Sequence, residues 1–215
     1  MIKVISFDLD GTLMHPDFGN KVWLEGLPTV YAKEKHIPLN RAKEKLITAY
    51  NSIGQTRKEW YDLTYWIKKL NLSIKPLDLL QEYKAYIKPY AESFSVVSHL
   101  AKQYQLIISS SAMREFITME LTESKMSSFF SHFFSATSDT DSAIKNPSFY
   151  KQICSKLKIV PTEIVHVGDT KLLDYDYPKE IGMIPFYLQR GRNSRNPFII
   201  HSLKEFEKQI IKMQS

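Results

Sequence analysis

The stretch Phe7-Asp8-Leu9-Asp10-Gly11-Thr12-Leu13 decides how this chain is read. It continues an apolar run that includes Val4 and Ile5 and has the character of a buried strand, so two carboxylates emerge where that strand ends. Two residues apart on an extended backbone, Asp8 and Asp10 point the same way. Gly11 permits a sharp exit that a bulkier residue resists. Like charges at one strand tip are costly unless a cation neutralises them, and hard oxygen donors suit Mg²⁺.

A second short apolar strand, Glu163 to Val167, runs into Gly168-Asp169-Thr170-Lys171-Leu172-Leu173-Asp174. Asp169 again sits just past a strand end, and Asp174 follows five residues later near the start of a helix. Both can face a cation held by Asp8. The two acidic stretches, in this order, resemble the motifs of the haloacid dehalogenase-like superfamily. The first has the Asp-x-Asp form of that superfamily's phosphatases. The second matches Gly-Asp followed by four residues and Asp, and Ile181-Gly182-Met183 continues the likeness.

The resemblance implies two further pieces between these motifs. One is a Ser or Thr at a strand end, and the run Leu106-Ile107-Ile108 leads into Ser109-Ser110-Ser111. Aligning the apolar run selects Ser109, with Ser110 beside it in the backbone that opens the next helix and holds phosphate oxygens. The other is a Lys directly before Pro, ahead of a helix. Here the sequence reads Ile144-Lys145-Asn146-Pro147, with one residue inserted, so Lys145 is the candidate partner of Asp8 and Lys151 the second choice.

In the mechanism this resemblance implies, Asp8 is the nucleophile that forms an aspartyl-phosphate. Asp10 is the general acid and base, and Lys145 balances charge. The metal ligands are Asp8, the backbone carbonyl of Asp10, Asp169, and Asp174 directly or through water. The expected enzyme is a Mg²⁺-dependent phosphohydrolase of a small phosphorylated metabolite. A dehalogenase reading is disfavoured because Asp10 suits proton transfer to an oxygen leaving group. A phosphosugar mutase shares these motifs, and a non-catalytic binding protein on the same fold is the alternative from a different class.

Outside residues 17–88 the chain alternates strands, near 3–8, 105–109, 131–135, 163–167 and 183–188, with helices near 91–104, 112–124, 147–158, 174–181 and 202–213. Such alternation predicts an α/β fold with a parallel sheet covered on both faces, its ligands at the carboxyl edge. The resemblance implies a Rossmann-like sheet of strand order 5-4-1-2-3. Residues 17–88 contain no strand pattern. Trp60, Leu63, Ile67 and Leu70 recur at helical spacing, as do Leu80, Tyr83 and Ile87, and Thr56 with Glu59 fits a capping box. The aromatic stripe reads as core. This segment resembles the superfamily's helical cap, joined through His15–Gly19 and Pro89–Glu92 to a core made of residues 1–16 and 89–215. Gln55, Arg57, Lys58 and Trp60 are the cap residues considered for the site.

Composition fits a compact globular enzyme, with 43% hydrophobic and 24% charged residues in 215. The early strand leaves no room for a signal segment, and no apolar run approaches membrane-spanning length. The lone Cys154 excludes an internal disulfide and reads as helix packing, so the expected location is the reducing cytoplasm. The net charge of +6 comes from scattered lysines, without a nucleic-acid recognition motif. No nucleic-acid or membrane partner is expected. The densest basic cluster, Arg190, Arg192 and Arg195, reads as a solvated loop rather than an anion site.

Overall fold

Val4–Phe7, the first strand (β1), is buried at every residue, as a central parallel strand with both faces covered requires. The computed structural model describes residues 1–191 and 194–213. In it β1 lies between Gln105–Ser110 (β2) and Ile164–Gly168 (β4). Phe130–Ser135 (β3) pairs beyond β2, and Ile184–Leu188 (β5) and Ile199–Ile200 (β6) extend the other side. The order is β3-β2-β1-β4-β5-β6, parallel throughout. The expected order is therefore present with one strand added. That strand has only two residues, too few to show a period, and backbone bonds from Tyr187 to Phe198 and from Gln189 to Ile200 hold it, each 2.8 Å.

Between β1 and β2 the chain forms Asp17–Lys21 (α1), a wide turn over Val22–Gly26, Leu27–Glu34 (α2) and Leu39–Ile53 (α3). Lys58–Tyr61 (α4), Leu63–Lys69 (α5) and Pro76–Tyr83 (α6) follow. The single helix expected through Trp60 and Leu70 is broken at Asp62, whose extended backbone and side chain cap α5 by accepting from Tyr65 N at 2.9 Å. The expected Thr56–Glu59 capping box does not form. Glu59 instead pairs with Arg57 at 2.7 Å, and no side chain caps α4. Leu63 and Ile67 enter the buried cluster of this segment with Phe18, Leu46 and Trp66, while Trp60 stays at its margin.

The remaining helices are Ser93–Leu100 (α7), Arg114–Glu123 (α8), Ala136–Asp139 (α9), Pro147–Leu157 (α10), Tyr177–Glu180 (α11) and Leu203–Lys212 (α12). The helix expected at 174–181 is α11, preceded by a wide helical turn over Lys171–Asp176. Strand alternation sorts the core into two layers. Ile5, Phe7, Ile108 and Val165 pack with Ile117 and Phe206, while Val4, Ile107 and Ile164 pack with Phe149, Tyr150 and Cys154. Cys154 is thus buried packing.

The two chain crossings between the sheet and the helical segment lie side by side. His15 N donates to Lys88 O and Tyr90 N to Leu13 O, at 2.8 and 3.0 Å, and the His15 and Tyr90 rings lie 3.9 Å apart. Arg190 reinforces this neck by donating to Glu92 and to Thr12 O while lying over the Tyr90 ring. Arg190 is therefore a partly buried clamp rather than a solvated loop residue. Arg195 is exposed, and Arg192 lies outside the described residues. No helix among the described residues is long and apolar enough to cross a membrane.

Candidate active site

The carboxyl ends of β1, β2 and β4 converge on one cavity of about 290 Å³, lined by Asp8, Asp10, Ser110, Ser111, Lys145 and Asp169 among others. Asp8 leaves β1 with its amide bonded to Val167 O at 2.9 Å, so the first strand is anchored to the fourth where their acidic residues emerge. Gly11 has φ +80°, and a Cβ there would overlap the Asp169 carboxylate. A Cβ at Gly168 would likewise overlap Asp174. These two glycines let the acidic loops approach closely.

Lys145 joins the two loops. Its Nζ donates to Asp8 Oδ1 and to Asp174 Oδ1, with all three side chains buried. The inserted Asn146 has a clear local role: its side chain accepts from Phe149 N at 2.9 Å and caps α10, with Pro147 opening the helix. Lys151 is exposed on that helix.

Three carboxylates, Asp8, Asp169 and Asp174, bring oxygen atoms within 4.8 Å of one another. The span across an Mg²⁺ octahedron is about 4.2 Å, from metal–oxygen distances of about 2.1 Å, so this donor set fits such an ion. Charge points the same way, because Lys145 supplies one positive charge against three acids. Burial, with Asp174 and Asp169 adding to it, pushes Asp8 well above the usual carboxylate range despite Lys145. Asp169, exposed at the mouth of the site, is raised as well, by partial desolvation and by Asp174. Asp174 goes the other way. Burial opposes its ionisation, but Lys145 and His166 outweigh it and hold the carboxyl at about 2. Asp174 is also the most engaged acid, accepting from Thr170 N at 2.9 Å and meeting His166 Nε2 at 3.0 Å.

Asp10 lies in the cavity lining but outside this carboxylate group. Its Oδ1 is buried without a hydrogen-bond partner among the described residues. Burial, then the Asp169 charge, pushes its carboxyl up to about 6, with Lys145 pulling against them. Such a group exchanges a proton near neutral pH.

The structure places Ser109 elsewhere. It is fully buried, and its hydroxyl is bonded to that of Ser6 at 2.8 Å. β2 runs one residue further than its apolar run indicates, ending at Ser110. A one-residue shift on a strand turns the side chain to the other face, so Ser110 and Ser111 line the cavity instead. Ser110 Oγ accepts from Ala112 N at 3.1 Å, and Ser111 Oγ is buried without a partner among the described residues. Of the considered cap residues, Trp60 lines the cavity and Gln55, Arg57 and Lys58 do not. Lys58 reaches Thr140 O at 3.0 Å.

Sequence reasoning missed a buried relay beneath the site. His166 Nδ1 meets Ser6 Oγ at 2.8 Å, and its Nε2 lies 3.0 Å from Asp174 and 3.2 Å from Tyr150 Oη. An ionised carboxylate only accepts, so Nε2 carries the proton. Burial lowers the His166 pKa, which keeps the ring neutral. Its signal was a polar residue inside the apolar run Ile164-Val165-His166-Val167. Also missed was Glu120 of α8, fully buried with both oxygens unpartnered among the described residues. Burial raises its pKa well above the ordinary value, with the Asp10 and Asp8 charges adding to the effect.

The sequence model of the haloacid dehalogenase-like hydrolases matches residues 2–181. The chain belongs to this family. Among solved structures, a haloacid dehalogenase-like phosphatase from Thermococcus onnurineus superposes with a TM-score of 0.81 at 24% identity, covering 97% of this chain and 98% of that one. YfnB from Bacillus subtilis, a haloacid dehalogenase-like hydrolase whose structure holds magnesium, gives 0.64 at 18% identity, covering 96% and 97%. At these identities the likeness concerns the fold. Among curated proteins, GMP/IMP nucleotidase YrfG of Escherichia coli (strain K12) is 29% identical over 73 residues, 34% of this chain. The matched stretch spans about a third (32%) of that relative's length. In this chain the acidic cluster lies beside a buried lysine and an acid, Asp10, whose pKa burial raises to about 6.

Proposed function

We propose that this hydrolase is a Mg²⁺-dependent phosphohydrolase that releases phosphate from a small phosphorylated metabolite through an aspartyl-phosphate on Asp8. The observation that carries this reading is the buried Asp8–Lys145–Asp174 bridge, with Asp169 beside it and Asp10 facing the same cavity. The helical residues 17–88 act as a cap over that cavity, contributing Gly19, Asn20, Trp23, Trp60 and Tyr61 to its lining.

In this reading Asp8 attacks phosphorus while Asp10 donates its proton to the departing alkoxide oxygen. The ester P–O bond breaks and an acyl phosphate forms on Asp8. Asp10, now ionised, takes a proton from a water that attacks the acyl phosphate, restoring the Asp8 carboxylate and releasing phosphate. Lys145 lies against Asp8, where it offsets negative charge on the transferring group. Ser110 and Ser111 supply hydroxyls to phosphate oxygens from the cavity lining. Asp8, Asp169, the Asp10 carbonyl and, directly or through water, Asp174 would hold Mg²⁺. When bound, the ion supplies Lewis-acid charge neutralisation to the phosphoryl oxygens. His166 orients Asp174 from below, as outer partners of metal-site carboxylates do.

The test is phosphate release from a panel of phosphomonoesters with Mg²⁺ and with a chelator, joined to mass analysis of the trapped enzyme. Expected are turnover that the chelator abolishes and an added phosphate on the peptide containing Asp8. Full activity without metal, or label on another residue, overturns the assignment.

A further inference from the structure

The cavity over Asp8 has two unlike halves. Its charged and hydroxyl groups, Asp8, Asp10, Lys145, Asp169, Ser110 and Ser111, belong to the sheet's edge, whereas Trp23, Trp60, Tyr61 and Phe116 bring four aromatic rings from three other elements. Trp23 and Phe116 lie almost parallel, with ring centres 6.1 Å apart and planes 4° apart. Trp60 meets Tyr61 edge to face at 4.8 Å. Trp23, Trp60 and Tyr61 are half-buried, unlike Trp66, which is enclosed in the cluster behind them. Tyr61 and Lys145 line the same cavity, so the aromatic surface adjoins the reacting end.

The polar complement of this half is small. Asn20 is exposed at the lining and offers an amide that can both donate and accept. Among the described residues Lys145 is the cavity's one cationic side chain, and it is committed to Asp8 and Asp174. A second phosphate or a carboxylate on the leaving group would find no partner there. A bare polyol would leave its hydroxyls against ring faces. Flat unsaturated rings, by contrast, stack on such surfaces with their polar edges free.

Resting on the phosphohydrolase reading above, we propose that the alcohol half of the substrate carries a flat heteroaromatic ring of nucleobase size. The ring packs against Trp23, Trp60, Tyr61 and Phe116, with Asn20 at its polar edge. These residues, rather than the exposed basic residues of the helical segment, set specificity.

The experiment compares purine and pyrimidine nucleoside 5′-monophosphates with ribose 5-phosphate, which has the same phosphate and sugar without the ring, using the full chain with Mg²⁺. At least one nucleotide should exceed ribose 5-phosphate in kcat/KM by about tenfold or more. Trp23→Ala and Trp60→Ala should each reduce that ratio by about 10- to 100-fold, the range expected for one lost stacking contact, while Trp60→Phe retains most of it. The ratio is taken within one protein sample, so partial misfolding cancels. Titrations of Asp8→Asn followed by tryptophan fluorescence read ring binding without turnover, and the nucleotide should bind at least about tenfold tighter than ribose 5-phosphate. Equal preference in turnover and equal affinity in titration overturn the proposal. If neither the phosphate esters nor acetyl phosphate is hydrolysed while the titrations still discriminate, the phosphohydrolase reading fails and the ring site stands.

Discussion

Replacing Glu120 by Met should stabilise the protein and flatten its stability against pH. Glu120 is fully buried on α8, and neither oxygen has a hydrogen-bond partner among the described residues. Leaving a buried polar group unpaired costs about 1–3 kcal/mol, and Met fills similar volume without that penalty. The pH term has a definite sign. Burial raises the folded-state pKa above the ordinary 4.5, with the nearby Asp10 and Asp8 charges adding to it. The fold therefore keeps a proton that the unfolded chain releases. Stability from this group is fully present below 4.5 and declines as pH rises toward the folded value, by about 1.4 kcal/mol per pH unit. For a chain of this size each kcal/mol moves Tm by about 2–4 °C. Wild type and Glu120→Met are compared by thermal melts in chelator-containing buffer from pH 4.5 to 6.5. The Met variant should gain several degrees at the upper end, and toward the lower end its advantage should shrink to the pH-independent part, about 1–3 kcal/mol for the unpaired carboxyl. Parallel curves, or a variant that melts lower at every pH, would refute the reasoning and mean that Glu120 is paired.

Three other outcomes are expected. Lys145→Ala should lower turnover about a hundredfold or more, and in metal-free buffer urea titration should show a loss of about 3–5 kcal/mol, because the buried Asp8 and Asp174 then lose the cation between them. Asp10→Asn should depress hydrolysis of alkyl phosphates by about 10²–10⁴-fold and of activated aryl phosphates far less, read as the dependence of kcat/KM on leaving-group pKa. His166→Leu should cost about 1–3 kcal/mol by thermal melts, since Ser6 and Asp174 each lose a buried partner.

What the sequence made legible follows the physics that acts locally. The strand-then-acid pattern at Phe7–Asp8 and Val167–Asp169 reports two adjacent central strands, because a buried parallel strand and a polar exit leave a sharp compositional edge. Lys145 was legible from its place ahead of Pro147, although the cap made by Asn146 was not. Ser109 shows where local reading runs out. Three consecutive serines carry no face information, and only pairing against β1 and β3 fixes which of them turns inward. The break at Asp62 was hidden because the apolar spacing continues across it, and a single cap bond decides it. Glu120 was invisible for the opposite reason, since an acid on a helix reads as a solvent-facing residue until tertiary packing buries it. Arg190 read as a loop charge because its partners, Glu92 and Thr12, are 98 and 178 residues away.

Met113, Phe116 and Met119 lie on or next to α8, yet their side chains belong to the same buried cluster as Phe18, Leu46 and Trp66. Swinging the helical segment away as a body would therefore strip three large apolar side chains of their cover. At about 1.5–3 kcal/mol for each side chain, the cost is about 5–9 kcal/mol. Even at the lower figure, such a gaping form is populated on the order of once in several thousand molecules. Substrate traffic through this protein is thus a matter of breathing at the rim, where Trp60, Tyr61 and Asn20 sit, and heat should melt the sheet and the helical segment together rather than one after the other.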